Sequence, residues 1–419
     1  MKKLIVIFFA FFPLLLIGQK SSHSGAPKYA PEDGKKLLIM GQDLGAVGGL
    51  TDYDDGYVDH FGHFPAGVTT YAGFPGLSGL KFKANWGAGD VNAQAYVEAT
   101  DFQNTTIVIG LHLVGKLKSI IAGSSDYDIN ILGEWIKEQD RPVFLRIGYE
   151  FDGSWNGYNP DDFKAAWIYI VKYFDDMDIR NVAYVWQSAG INTPSIERWY
   201  PGDEYVNWVG YSHFDGPNPG QSIRDFADAH DKPIMIAEAT PRRDLKNGSG
   251  EGHWQAWFTP LFEKIYGNNR IKAFAYINAD WESQAMWKGQ GWGDSRLNVN
   301  DVIKASWEKE IDKEAWILAS PNLFGDLKYP MWMDSLIITS VNEIGEKSKL
   351  QIERKLNFIS ISLTSFERLD GVSIIDFMGR TVFQDLNSRS EYMVPIKGLL
   401  FGEKWIIRII KNNEVIVKK

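Results

Sequence analysis

RPVFLRIGYEFDGSWNGY, residues 141–158, is the stretch on which the reading of the fold turns. Residues 142–147 form a short run of apolar and β-prone side chains, the pattern of a strand buried on both faces. Glu150 stands just past its end, and Asp152, Gly153, Trp155 and Tyr158 follow, the composition of a loop that holds a polar ligand against aromatic faces. A second such place lies further on, where PIMIA (233–237) runs into Glu238, Ala239, Thr240 and Pro241. Carboxylates leaving the C-terminal ends of strands are where an α/β barrel keeps its reacting groups.

Working outward, eight short β-prone runs bounded by turn residues recur at 37–40, 67–71, 106–111, 142–147, 182–186, 206–210, 233–237 and 271–277. Helical patterns lie between several of them. Over 161–177, Phe163, Ala166, Trp167, Ile170, Val171 and Phe174 share one stripe, with Asp161 placed to cap the helix after Pro160. Residues 128–139 and 251–266 read similarly. Strands alternating with helices predict a (β/α)8 TIM barrel over 36–319, with its first two crossovers irregular. Residues 320–340 read as a linker. The last part, 341–419, changes character: Ile359, Ile361 and Leu363 alternate with serines, and further short strands follow at 372–377, 405–410 and 415–417, a small all-β C-terminal domain.

Lys2 and Lys3 followed by an apolar run to Ile17 have the layout of a secretory signal peptide over 1–18, too short for a stable membrane span. Residues 19–35 then read as a flexible leader. The expected localisation is secreted or cell-surface. With no cysteine, the chain has neither disulfides nor thiolate chemistry. The net charge is −9, but residues 341–419 carry 13 Lys and Arg against 10 Asp and Glu, so the rest of the chain stands at −12. That acidic body opposes a nucleic-acid or anionic-membrane partner and suits a neutral substrate. Sixteen tryptophans exceed what core packing asks for, and some are expected to face a ligand.

Two strand-end glutamates suggest paired-carboxylate hydrolysis of a glycosidic bond, with no cofactor. Glu150 suits the acid/base role, because its loop neighbours can shield it and raise its pKa. Glu238 suits the nucleophile, ionised by nearby donors such as a tyrosine hydroxyl or Arg146. Arg146 reads equally well as a barrel-interior residue pairing a carboxylate for stability; both readings set it beside the glutamates. Other side chains follow strands in the same sense: Gln42, His112, Trp186 with Gln187, Tyr211 to Phe214, and Asn278 to Trp281. Gln42, Trp86, His112, Arg146, Trp155, Tyr158, Trp186, Tyr211, Asn278 and Trp281 are the candidate substrate-binding residues. Trp155, Trp186 and Trp281 suit either core positions or sugar platforms. His60 and His63, with Asp52, Asp54 and Asp55 nearby, have a metal-like spacing without a complete ligand set, and a solvated loop is the simpler reading.

RIGYEFDGSWNGY together with MIAEATP resembles family 26 of the glycoside hydrolases, the group of β-mannanases and β-1,3-xylanases among the retaining (β/α)8 enzymes. The resemblance spans 36–307 and implies Glu150 as acid/base and Glu238 as nucleophile. It also implies that Trp281 lies under the sugar at the cleavage point. Mannanases of this family carry a His before the acid/base and Met-Asn-Gly after it. Here Tyr149 and Phe151-Asp152-Gly153 stand there, a pattern similar to the β-1,3-xylanase branch. The expected substrate is therefore β-1,3-xylan, with β-mannan second and a non-catalytic glycan-binding barrel as the competing class. The Gly-x-Asp-x-Tyr usual after strand six is replaced by Gly210, Tyr211, Ser212, His213 and Phe214, which leaves Tyr211 to substitute for the tyrosine that supports the nucleophile. The tail, with VSIIDFMGR at 372–380, resembles the C-terminal sorting domain of the Bacteroidetes type IX secretion system, which implies the export machinery as a partner.

Overall fold

The computed structural model describes residues 25–216 and 218–329, and strands between 350 and 418. Eight strands form the framework: β1 (Lys36–Gly41), β2 (Gly67–Gly73), β3 (Thr106–His112), β4 (Val143–Ile147), β5 (Val182–Ser188), β6 (Trp208–His213), β7 (Ile234–Ala239) and β8 (Ile271–Ile277). Each pairs in parallel with the next, and β8 returns to β1 through the register Leu37↔Ala273 to Gly41↔Ile277, closing the barrel. The runs seen in the sequence are these strands, within three residues at their ends, the largest shift being at β6, expected over 206–210 and found at Trp208–His213. A two-residue strand, β9 (Trp316–Ile317), adds to the start of β1.

Closure leaves no sheet edge and divides the side chains by strict alternation. One set packs outward against the helices. The other fills the interior with Leu37, Ile39, Val108, Phe144, Ala183, Val185, Trp208, Met235, Ala237, Ala273 and Ala275. The helices supply the outer layer. In α1 (Asp126–Glu138), Ile129, Leu132, Trp135 and Ile136 are buried; in α2 (Pro160–Asp176), the predicted stripe of six apolar residues is the buried face. The cap of α2 is Asn159, whose side chain accepts from Asp161 N and Asp162 N, so Pro160 opens the helix and Asp161 lies one position inside it. The helix expected over 251–266 is continuous but widens to a π-turn at Trp254–Phe258 before α4 (Thr259–Gly267); α3 (Gln221–His230) precedes it. The first two crossovers are irregular, built from short helices and a two-residue hairpin.

Two segments expected to be flexible or linking are part of the packed body. Tyr29 is buried edge-on to Phe144 and to Tyr329, and Trp208 Nε1 donates to the Lys28 carbonyl at 2.6 Å. Leu323, Leu327 and Tyr329 join the same apolar cluster at the N-terminal end of the barrel. The open end of a barrel exposes apolar interior atoms, and the two segments together cover it. The expected signal peptide (1–18), residues 19–24 of the leader and residues 330–340 of the linker lie outside the described residues. In the tail, Leu350–Lys355, Phe358–Leu363 and Glu391–Pro395 form one antiparallel sheet; Thr381–Asp385, Gly371–Ile375, Ile406–Lys411 and Glu414–Lys418 form another.

If residues 323–329 belong to the core, Leu327→Ala lowers the unfolding free energy of the full chain by about 2–4 kcal/mol in urea denaturation. A segment that merely links would lose less than about 0.5 kcal/mol.

Candidate active site

Toward the C-terminal ends of the strands the barrel interior turns from apolar to polar. Thr69, Arg146, Gln187, Ser212 and Glu238 are all almost fully buried there. Arg146 is at the centre. Its Nη1 donates to Glu238 Oε1 at 2.5 Å and to Gln187 Oε1 at 2.9 Å, while Nη2 donates to Thr69 Oγ1 at 2.9 Å. The guanidinium lies over the rings of Tyr71 and Tyr149, 5.1 and 5.4 Å from their centroids. Burial works against its charge, but Tyr71 and the Glu238 carboxylate outweigh that and hold its pKa above the ordinary value.

Glu238 reaches this pocket through a defect in the ladder. Met235 and Ala237 both face the barrel interior, so plain alternation would turn Glu238 outward. The β6 register passes from Tyr211↔Ile236 to Ser212↔Glu238, and the β8 register from Phe274↔Ile236 to Tyr276↔Ala239. One extra residue in β7 restores the inward direction, a bulge that re-aims the side chain.

Glu150 lies in the turn after β4, with a positive φ of 52° that follows Gly148 at 55°. A left-handed glutamate is held only where its surroundings fix it. Asn156 Nδ2 donates to the Glu150 carbonyl at 2.8 Å, and Phe151 N donates to the Gln187 carbonyl at 3.1 Å. The carboxylate accepts from Ser212 Oγ at 2.6 Å and from Trp155 Nε1 at 3.1 Å. Ser212 Oγ also accepts from Gln187 Nε2 at 3.1 Å, and that amide lies 3.5 Å from Glu238 Oε1. A continuous hydrogen-bonded path therefore runs from one glutamate to the other. Burial first, and then the charge of Glu238, push the Glu150 pKa up to about 8, against the opposing hydrogen bonds from Ser212 and Trp155. The pocket thus sets a carboxyl of raised pKa beside a glutamate paired with arginine, the asymmetry that an acid and a nucleophile need.

The candidate binding residues separate into three groups. Trp155 is 61% exposed beside Glu150, Trp86 is 48% exposed on the hairpin loop, and His112 is exposed at the end of β3; Gln42, near the Arg146 cluster, accepts from the Tyr71 hydroxyl at 3.2 Å. Tyr158 is half-buried, with its hydroxyl accepting from Leu113 N at 3.3 Å, and Asn278 is buried between Ala46 O and Leu297 N. Three aromatics are core residues. Trp186 and Tyr211 occupy outward positions of β5 and β6, where Trp186 stacks on Phe151 at 4.4 Å and Tyr211 packs against Gly220. Tyr211 thus does not replace the tyrosine that would support Glu238; Tyr71 and Tyr149, flanking Arg146, stand in that region instead. Trp281 is 2% exposed beneath Trp287 and Trp292, with Nε1 donating to Ser295 Oγ.

Gln187, Ser212, Tyr71, Tyr149 and Thr69 were absent from the candidate list, although for all but Tyr149, which lies beyond β4, strand parity carried the signal: counting in twos from the apolar interior residues leads to Gln187 and Ser212 rather than to their aromatic neighbours. His60 bonds Asp55 and His63 bonds the Tyr57 hydroxyl, and among the described residues no group of three or more His, Asp or Glu is placed to hold a metal.

Removing the Ser212 hydrogen bond should raise the Glu150 pKa further. In Ser212→Ala the alkaline limb of the kcat/KM profile, set by loss of the Glu150 proton near pH 8, moves to higher pH; an unmoved or lowered limb would contradict the assignment.

Residues 75–249 match the family model for glycosyl hydrolase family 26. The chain is 32% identical over 337 residues to a β-1,3-xylanase from a Vibrio species, covering 74% of this chain and 71% of that one. It is also 32% identical over 339 residues to a β-1,3-xylanase from an Alcaligenes species, covering 74% and 70%. Among solved structures, a modular endo-β-1,4-mannanase from Cellulomonas fimi superposes with a TM-score of 0.50 at 13% identity, covering 92% of this chain and 93% of that one, a likeness of fold. With the paired glutamates at the mouth of a closed barrel, these findings show that the chain belongs to glycosyl hydrolase family 26 and is a glycoside hydrolase.

Proposed function

We propose that the protein is a retaining endo-β-1,3-xylanase acting by double displacement, with Glu150 as acid/base and Glu238 as nucleophile. The observation that carries the reading is the path Glu150–Ser212–Gln187–Glu238, which puts a carboxyl of raised pKa and an arginine-paired carboxylate in one pocket. Glu150 donates its proton to the leaving glycosidic oxygen while a Glu238 oxygen attacks the anomeric carbon, giving a glycosyl ester and a shortened chain. Once Glu238 is an ester its charge is gone, and with it the second-largest cause of the raised Glu150 pKa. Glu150, now a carboxylate, takes a proton from water, whose oxygen attacks the anomeric carbon and releases Glu238. Two inversions restore the starting configuration.

Xylan linked β-1,3 is preferred on the Tyr149-Glu150-Phe151-Asp152-Gly153 sequence and the two relatives named above. Trp155 supplies an exposed indole whose N–H also holds Glu150, so the face that stacks a sugar is fixed against the proton donor. Purified β-1,3-xylan, β-1,4-xylan, mannan and mixed-linkage glucan, followed by product chromatography, test the substrate. β-1,3-xylo-oligosaccharides are expected from the first, and turnover confined to mannan would replace the xylan reading. Glu238→Ala lowers kcat on the active substrate by several orders of magnitude and leaves oligosaccharide binding intact; near wild-type turnover would refute its role.

Export completes the proposal, resting on the layout of residues 1–18 and the motif at 372–380, with the polysaccharide met outside the cell. Intact-mass measurement of protein from the medium of a type IX-competent host is expected to show loss of the first residues, to a start near 19. A mass that retains Met1 would overturn the signal reading.

A further inference from the structure

On the outward side of β6 lies a cavity of about 430 Å3, lined by His213, Phe214, Arg243, Trp257, Leu261 and Lys264 among others, and by neither catalytic glutamate. His213 follows Ser212 and so projects from the opposite face of the strand. Two side chains more than nine-tenths buried line this cavity with no partner for a polar atom: His213 at Nδ1, and Trp257 at Nε1, their rings 5.8 Å apart. Arg243 Nε, on the same wall, is also buried without a partner. Unsatisfied buried donors are rare and usually await a ligand or an ordered water. Trp257 is set here by the π-turn Trp254–Phe258, an irregularity that often marks functional positions.

The charge of the lining is one-sided. Lys264 and Arg243 are cationic, and the single carboxylate among the lining residues, Asp215, is engaged with Arg243 at 3.4 Å. Burial, reinforced by Lys264 and by Arg224 behind the wall, pushes the His213 pKa down to about 3, so the imidazole is neutral and its Nδ1 is free to carry a proton. Burial and Arg224 lower Lys264 to about 8. Two cations against one carboxylate leave the lining with net positive charge, which favours a bound negative group. Phe214, Trp257, Pro219, Pro260 and Leu261 add the apolar surface that a pyranose ring covers.

We propose that this cavity is a binding site for an oxyanion-bearing sugar, whose carboxylate or sulfate accepts from Arg243 and Lys264 against the wall formed by Trp257. The anion is supplied either by a free acidic sugar or by an acidic substituent on the polysaccharide.

Calorimetric titration of the full chain with sodium D-glucuronate, sodium sulfate and neutral D-xylose, and with a xylo-oligosaccharide bearing one glucuronyl group, tests this. Glucuronate and sulfate are expected to bind and xylose not to. Arg243→Met and Lys264→Met, both at partly exposed positions, are each expected to weaken glucuronate by about tenfold. Turnover of a neutral substrate stays unchanged in both. Tighter binding of the decorated oligosaccharide than of glucuronate assigns the anion to the polysaccharide; equal or weaker binding assigns it to a free acidic sugar. Absence of heat with both anions, or glucuronate affinity unaltered in both variants, would overturn the site.

Discussion

A buried arginine paired with a buried glutamate is the constraint around which this barrel is built. Taking both charges out of water costs several kcal/mol per ion, and attraction offsets that only where the remaining donors are satisfied. Here Arg146 gives its two Nη groups to Glu238, Gln187 and Thr69, and the rings of Tyr71 and Tyr149 cover its planar faces, but its buried Nε is left without a partner. Such an arrangement is poor stabilisation for its expense, since an apolar interior would fill the same space. Its return is a glutamate fixed beside a guanidinium where water is scarce, and its charge adds to burial in raising the pKa of its neighbour Glu150.

The two glutamates differ because their surroundings differ. Glu238 sits in the strand, brought inward by a bulge and paired with a guanidinium. Glu150 sits in a turn, left-handed, held by a serine hydroxyl and an indole N–H and close enough to Glu238 for its proton to be retained. Asp152 secures that turn from its far side, accepting from Ser188 Oγ, Ala189 N and Thr193 Oγ1, so the loop carrying Glu150 is tied to the end of β5. The rigid ladder positions Glu238 and the loop positions Glu150.

Much of this was legible in the chain. The eight strands, their closure and the two glutamates follow from apolar runs that end in carboxylates, because a strand buried on both faces leaves a plain signature. The stripe of α2 was equally plain. Parity was the harder matter. Trp186 and Tyr211 attract attention as aromatics, yet each lies one residue from the interior position, and Gln187 and Ser212 look ordinary until the alternation is counted. The bulge in β7 works in the opposite sense, since counting through Ala237 would have turned Glu238 away, and nothing in the sequence marks the inserted residue. Packing of residues 25–35 and 323–329 across the barrel's open end was hidden because their composition is that of a loop, and only the apolar surface beneath them gives Tyr29, Leu327 and Tyr329 a place to go.

The central claim is that burial first, and then the charge on Glu238, hold the proton on Glu150. Titration of the glutamate side-chain carboxyl carbons by 13C NMR, in the wild-type chain and in Glu238→Gln, tests it most directly. The account predicts a wild-type Glu150 that titrates far above the ordinary carboxyl range, near 8, and a clear downward move once the neighbouring charge is removed. A Glu150 that titrates at the same pH in both proteins, or at an ordinary carboxyl value in the wild type, would contradict it.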